Sequence, residues 1–335
     1  MLYKGSRVVG RKTQVVAVGL ALLSPLLAAL VWALYLEFPG EPDLPGALQR
    51  AQLDWDGIPR TYTYYLPATV SPDPPLVLVF HGSGGDAAQA RMLYGYAFEV
   101  LAEEHGFIVA YPDGYQRHFN GCRRAGPYAA NEQGIDDVGF MGAVVDELAR
   151  SHGIDRQAVF ATGVSNGGQM ALRLALEAPA LVAAVAPVAT SMPTADNMDC
   201  ERAGEAVSFL LMNGTDDPMN PYAGGTVALY GLWGNRGKVL SSRDTVDYWV
   251  ELAGYREGPR QFDFDDRVPE DDSTVSLALW AAPGRESIAL YTIHGGGHGA
   301  PNPEIRLPRL LGGSNRDLYA ARLIWVFFQG AGGAR

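Results

Sequence analysis

Cysteine is almost missing from this chain: Cys122 and Cys200 are the only two in 335 residues. Neither has partners at the spacing zinc sites use, which excludes a cysteine-based metal centre. Basic stripes are missing too. The formal net charge is −11 and the pI is near 5.0, so phosphates meet no counter-charge and nucleic acid is excluded as a general partner. No internal repeat is visible. What is present is 47% hydrophobic content in a chain of this length, enough for one large α/β domain with a substantial core.

One uncharged apolar run stands apart from the rest. It covers residues 15–36, and at helical rise its 22 residues span about 33 Å, the thickness of a bilayer's hydrocarbon core. Lys4, Arg7, Arg11 and Lys12 precede it, and Glu37, Glu41 and Asp43 follow. This asymmetry predicts a cytoplasmic N-terminus over 1–13, a transmembrane signal anchor over 14–36 and an exported body, periplasmic or extracellular. A cleaved signal peptide is the competing reading and would make the protein secreted. The bulky stretch 31–36 offers no small-x-small cleavage site, and no cysteine nearby suggests lipid attachment. A proline- and acid-rich linker is expected over 37–57 and the catalytic domain over 58–335. Oligomeric state is not legible.

In the body, apolar or alternating runs predict strands at 61–66, 76–80, 107–111, 158–161, 182–188, 207–212 and 287–293. Helical patterns fall at 87–104, 136–151, 169–177, 243–253 and 315–329. Strands alternating with amphipathic helices predict a mainly parallel sheet covered on both faces. Long loops at 115–134 and 218–238 follow strand ends, where such folds place ligands.

Gly163-Val164-Ser165-Asn166-Gly167 is a G-x-S-x-G motif between a predicted strand and a predicted helix. A serine in that tight turn is forced outward, and the following helix aims backbone N–H groups beside its hydroxyl. A serine needs a base to become a nucleophile; histidine suits that role, and an acid behind it fixes the tautomer. Both are found in later strand-end loops. Asn213-Gly214-Thr215-Asp216-Asp217 follows one strand, and His294-Gly295-Gly296-Gly297-His298 follows the last. Upstream, His81-Gly82-Ser83-Gly84-Gly85 ends the first buried strand, where a second oxyanion donor belongs.

Carrying these motifs, the sequence resembles the polyhydroxybutyrate depolymerase and feruloyl esterase family of α/β-hydrolases, including the small exported LpqC-like esterases. The matching segments are HGSGG at 81–85, YPDGY at 111–115, DDVGF at 136–140, GVSNGGQMA at 163–171, NGTDDPMNPYAGG at 213–225 and YTIHGGGHG at 291–299. They cover nearly all of the chain from Tyr62 onward; the N-terminal run lies outside. The resemblance implies an α/β-hydrolase fold, with Ser165 as nucleophile, His298 as base and Asp217 as triad acid. It implies an oxyanion hole made by the N–H groups of Ser83 and Asn166, and it favours a Cys122–Cys200 bridge. Many members have Thr-Trp where this chain has Gly299-Ala300, and Trp where Phe119 stands, so substrate preference does not transfer.

Asp216 rivals Asp217 by adjacency, and His294 rivals His298. The glycine run before His298 is expected to free it to swing toward the serine. His294 and His298 have i, i+4 spacing, but three intervening glycines make a metal-binding helix implausible. Asp136 and Asp137 read as helix N-terminal acids rather than a glycosidase pair, and His81 as a structural hydrogen-bonding residue. Tyr115, Phe119 and Tyr222 are candidate substrate-binding residues. The expected function is a serine carboxylic-ester hydrolase on aryl, feruloyl, acetyl or short hydroxyalkanoate esters, with no metal or organic cofactor. Polymer depolymerisation, peptide cleavage and non-catalytic surface binding are the alternatives.

Overall fold

Apolar runs of five to seven residues fill the middle of the sheet, because strands covered by helices on both faces have no solvent side on which to alternate. The computed structural model describes Leu30 and residues 33–331. Its strands are β1 (Ala47–Trp55), β2 (Ile58–Leu66), β3 (Leu76–Phe80), β4 (Ile108–Pro112), β5 (Val159–Val164), β6 (Ala184–Val188), β7 (Ser208–Gly214), β8 (Gly225–Thr226), β9 (Lys238–Val239), β10 (Arg260–Asp263), β11 (Thr274–Trp280) and β12 (Ile288–His294). Ten of them form one sheet in the order β1-β2-β4-β3-β5-β6-β7-β12-β11-β10, while β8 and β9 form a separate ribbon. The six strands from β4 to β12 are parallel, and two antiparallel strands extend each edge. The centre of the sheet is parallel, as expected, and the antiparallel edges make the sheet as a whole mixed.

The helices are α1 (Ala87–Leu93), α2 (Ala97–His105), α3 (Ala129–Glu132), α4 (Asp137–His152), α5 (Asn166–Glu177), α6 (Ser242–Leu252) and α7 (Ala320–Ala331). One core lies between the sheet and α4, α5 and α6, and includes Leu76, Leu78, Phe80, Met170 and Trp249. The other lies under α1, α2 and α7, with Val77, Val79, Phe98 and Phe328. Neighbouring residues of β3 thus serve opposite cores, as the two-residue period of a strand requires.

Three elements differ from expectation. Residues 47–55, expected as linker, pair along their full length with β2. Asp56 (φ 52°) and Gly57 (φ 73°) make the turn, the Asp-Gly pair that tight hairpins favour. The expected helix over 87–104 is broken, because Gly95 and Tyr96 take left-handed backbone at φ 62° and 60°. The last helix starts at Ala320 rather than 315. Asn315 donates to Ser273 Oγ (2.9 Å), and Asp317 accepts from the N–H groups of Arg267 and Val268 (2.8 and 3.0 Å), so both side chains compete with helical structure.

Cys122 and Cys200 form a disulfide across a sequence separation of 78 residues. Closing a loop of that length contributes up to about 4 kcal/mol by the chain-entropy estimate. Among the described residues no helix is long and apolar enough to cross a membrane. The expected N-terminus over 1–13 and anchor over 14–36 lie outside the described residues, apart from Leu30 and 33–36.

Candidate active site

β3, β5, β7 and β12 are parallel, so their carboxyl ends open on one edge of the sheet, and the loop after each of them contributes to the site. Ser165 follows β5 with φ 59° and ψ −113°, a conformation that non-glycine residues rarely adopt. Its N–H is held by Val188 O (2.9 Å) and its carbonyl accepts from Gln169 N–H (2.9 Å). The glycines of the motif are required by close approach. A Cβ on Gly167 would overlap the carbonyl oxygen of Phe80 and lie 2.6 Å from that of His81; one on Gly163 would lie 2.6 Å from the Gly167 carbonyl carbon.

Asp217 and His298 meet although 81 residues separate them. His298 Nδ1–H donates to Asp217 Oδ2 at 2.7 Å, with both side chains nearly buried. The other oxygen, Oδ1, accepts from Met219 N–H (2.7 Å) and Asn220 N–H (2.9 Å), so the carboxylate is held on both sides. Asp216 is exposed and accepts from Thr215 Oγ1 (2.9 Å). His294 turns away and bonds Ser276 Oγ (2.9 Å) on β11. The glycine run has a different use from the mobility expected. It packs backbone against backbone, with Gly297 N–H to Gly313 O and His298 N–H to Leu311 O, both 2.6 Å, and a Cβ on Gly297 would lie 2.5 Å from Gly312 Cα.

Ser165, His298, Ser83 and Gly82 line one cavity of about 200 Å³. Within it no hydrogen bond joins Ser165 Oγ to the imidazole, a separation common in unliganded sites that tightens on substrate binding. Among the described residues the N–H groups of Ser83 and Asn166 make no hydrogen bond, leaving both free to donate. The Asn166 side chain is occupied instead with Phe119, accepting from its N–H (2.8 Å) and donating to its carbonyl (3.0 Å).

His81 is fully buried and bridges two loops: Nδ1–H donates to Gly82 O (2.7 Å), and Nε2 accepts from Gly114 N–H (2.9 Å). Burial pushes its imidazole below the ordinary histidine value. A proton on Nε2 would oppose the Gly114 donor, so the fold holds the neutral ring while the unfolded chain takes up a proton near pH 6.5. The expected result is stability present above about pH 6.5 and lost as pH falls below it. Melting temperature against pH checks this, and in His81→Asn the slope over that interval should flatten. An unchanged slope would remove His81 from the account.

One of the expected substrate contacts requires correction. Phe119 is fully buried against Phe80 and His81. Tyr115 bonds Gln133 (3.2 Å), Tyr222 bonds Thr292 (2.6 Å), and none of the three lines the cavity. Leu93, Arg123, Met219, Asn220, Val227, Arg236, Leu307 and Leu311 do. Met219 and Asn220 fall within the 213–225 segment that also carries Asp217, and Arg123 stands beside Cys122; the others come from separate segments with no motif to mark them. Asp136 caps α4 by accepting from Gly139 N–H (2.8 Å), as expected of a helix N-terminal acid. Asp137 does more, since it is buried and paired with Arg60 at 2.5 Å.

The mixed ten-stranded sheet with a serine elbow is an α/β-hydrolase fold. An acetyl xylan esterase from Aspergillus awamori shares that fold, with TM-score 0.52 and 18% identity over 77% of this chain and 96% of that one. The sequence model of the family described as Esterase PHB depolymerase matches residues 60–206. NocK, a candidate esterase of Nocardia uniformis subsp. tsuyamanensis, is 30% identical over 252 residues, 74% of this chain and 72% of NocK. The chain belongs to that esterase family. Poly(3-hydroxyalkanoate) depolymerase C of Paucimonas lemoignei is 27% identical over 71% of this chain, which spans 58% of the depolymerase.

Proposed function

We propose that the chain is a serine carboxylic-ester hydrolase with Ser165 as nucleophile, His298 as general base and Asp217 as its orienting acid. One observation carries the reading: an imidazole held by Asp217 at 2.7 Å opens into the same cavity as a serine with left-handed backbone. Ser165 Oγ attacks the ester carbonyl as His298 Nε2 takes its proton. The N–H groups of Ser83 and Asn166 donate to the oxyanion, and the alcohol leaves with the proton from His298. Water then attacks the acyl-enzyme by the same path and releases the acid.

A cavity of about 200 Å³ is small for an organic ligand and favours short or compact acyl groups, including acetyl and short hydroxyalkanoyl esters. One feature favours a polymer instead. Leu232 and Trp233 stand 72% and 63% exposed on the loop that carries Arg236 to the cavity wall, a surface on which a chain could lie. We also place the catalytic body outside the cytoplasm, tethered through residues 14–36; the Cys122–Cys200 disulfide supports an oxidising compartment.

A fluorophosphonate probe should label Ser165, and a panel of acetyl, aryl, feruloyl and hydroxybutyrate esters should give products by chromatography. No labelling and no turnover on any ester would leave a binding protein with a hydrolase fold.

A further inference from the structure

Arg123 lies in the wall of the Ser165 cavity and is 5% exposed. Among the described residues no carboxylate pairs with its guanidinium, and its side chain makes no hydrogen bond. Arg236 lines the same cavity; its Nε donates to Tyr128 OH (2.6 Å) and its Nη1 to Gly234 O (2.7 Å), which leaves Nη2 unused. Burial, with Arg236 nearby, pushes Arg123 down to about 10, so it still carries its charge at neutral pH. A buried cation without a partner is costly, and a like charge beside it adds to the cost.

The backbone fixes both arginines in place. Cys122, next to Arg123, is tied to Cys200, and Arg123 itself bridges Met198. Asn197 Oδ1 accepts from Ala125 N–H (3.0 Å), and its Nδ2 donates to Arg236 O (3.1 Å), joining the two segments. Tyr128 further links Arg236 to the oxyanion loop through Ser83 Oγ (2.9 Å). One unoccupied guanidinium fork, that of Arg123, and a second cation with Nη2 unused are thus held in the wall of the serine's cavity, an arrangement that suits a planar anion.

We propose that Arg123 and Arg236 form a carboxylate subsite, so that this cavity takes a short ester bearing a free carboxylate, such as the half-ester of a dicarboxylic acid. The assignment rests on the esterase reading of Ser165, and it separates from that reading experimentally. Binding of monomethyl succinate and of dimethyl succinate to the Ser165→Ala protein is compared by calorimetry. The charged monoester should bind at least tenfold more tightly, with an advantage that shrinks as salt rises. Arg123→Met should abolish that preference, Arg123→Lys should restore part of it, and Arg236→Met, at a more exposed position, should weaken it. Equal binding of the two esters, or a preference that survives Arg123→Met, would overturn the subsite. Inorganic phosphate displacing the monoester with higher affinity would reassign the pair to a phosphate and overturn the carboxylate.

Hydrolysis by the unaltered enzyme distinguishes the two readings. Ser165-dependent cleavage of both esters with equal kcat/KM sinks the subsite and leaves the esterase. Preferential binding without cleavage of any ester sinks the esterase and keeps the subsite.

Discussion

Ser165→Ala is expected to lower ester turnover about ten-thousand-fold or more while leaving a folded protein. The hydroxyl is the proposed nucleophile, and nothing in the described structure depends on its hydrogen bonding. Residual hydrolysis would come from the oxyanion donors and from binding alone. The same position tests strain. Ser165 holds φ 59° and ψ −113° because Val188 O and the start of α5 pin the turn. Glycine adopts that region without strain, so Ser165→Gly should be equally inactive yet more stable than Ser165→Ala by about 1 kcal/mol. Initial rates on a short acyl ester and melting curves provide both readouts. An alanine variant that turns over at the original rate would show that the nucleophile lies elsewhere.

The largest effect on stability is expected at Arg60, far from the serine in sequence. Arg60 on β2 donates to Asp137 Oδ1 at 2.5 Å, with side chains 3% and 0% exposed, and Asp137 Oδ2 accepts from Asn120 N–H at 2.7 Å. Burial pushes the Asp137 carboxyl up, and Arg60 and the Asn120 N–H pull against that shift. Arg60→Met removes one partner and leaves a buried carboxylate, a change that costs about 3–5 kcal/mol at neutral pH. The sign with pH follows. A carboxyl whose folded pKa is raised binds a proton in the fold that the unfolded chain has already lost. Its penalty is therefore full above the folded pKa and disappears below the unfolded value. The gap between Arg60→Met and the unaltered protein should narrow as pH falls, and adding Asp137→Asn should recover much of the loss. Denaturant titrations at pH 7.5 and pH 5 measure it. A constant gap across that range would mean that Arg60 acts through packing, including its contact over the Phe140 ring at 4.3 Å, rather than through charge.

How much could be read without coordinates varied with the physics of each element. Core strands such as Leu76–Phe80 were legible because a run of large apolar residues has few other uses. The edge strand Ala47–Trp55 was not, since its exposed face is polar and its partner lies across a turn, so composition alone gave a linker. The interruption at Gly95 and Tyr96 was hidden within a helical pattern. Aromatics near the motif drew attention as ligand contacts, yet burial against His81 and Phe80 is what Phe119 does.

Local rules were sufficient for the order of chemistry-bearing loops, because each sits at the end of an apolar strand and carries glycines where backbones must approach. The segments on those loops also carried the resemblance to the esterase family. Pairing His298 with Asp217 rather than Asp216 was a tertiary outcome, settled by where the loop after β7 turns and by the close packing of Gly296 and Gly297 against their neighbours. The same holds for the two arginines in the cavity wall. Charge is visible in a sequence, but the loss of its counter-ion and of its water arises only when distant loops close around it.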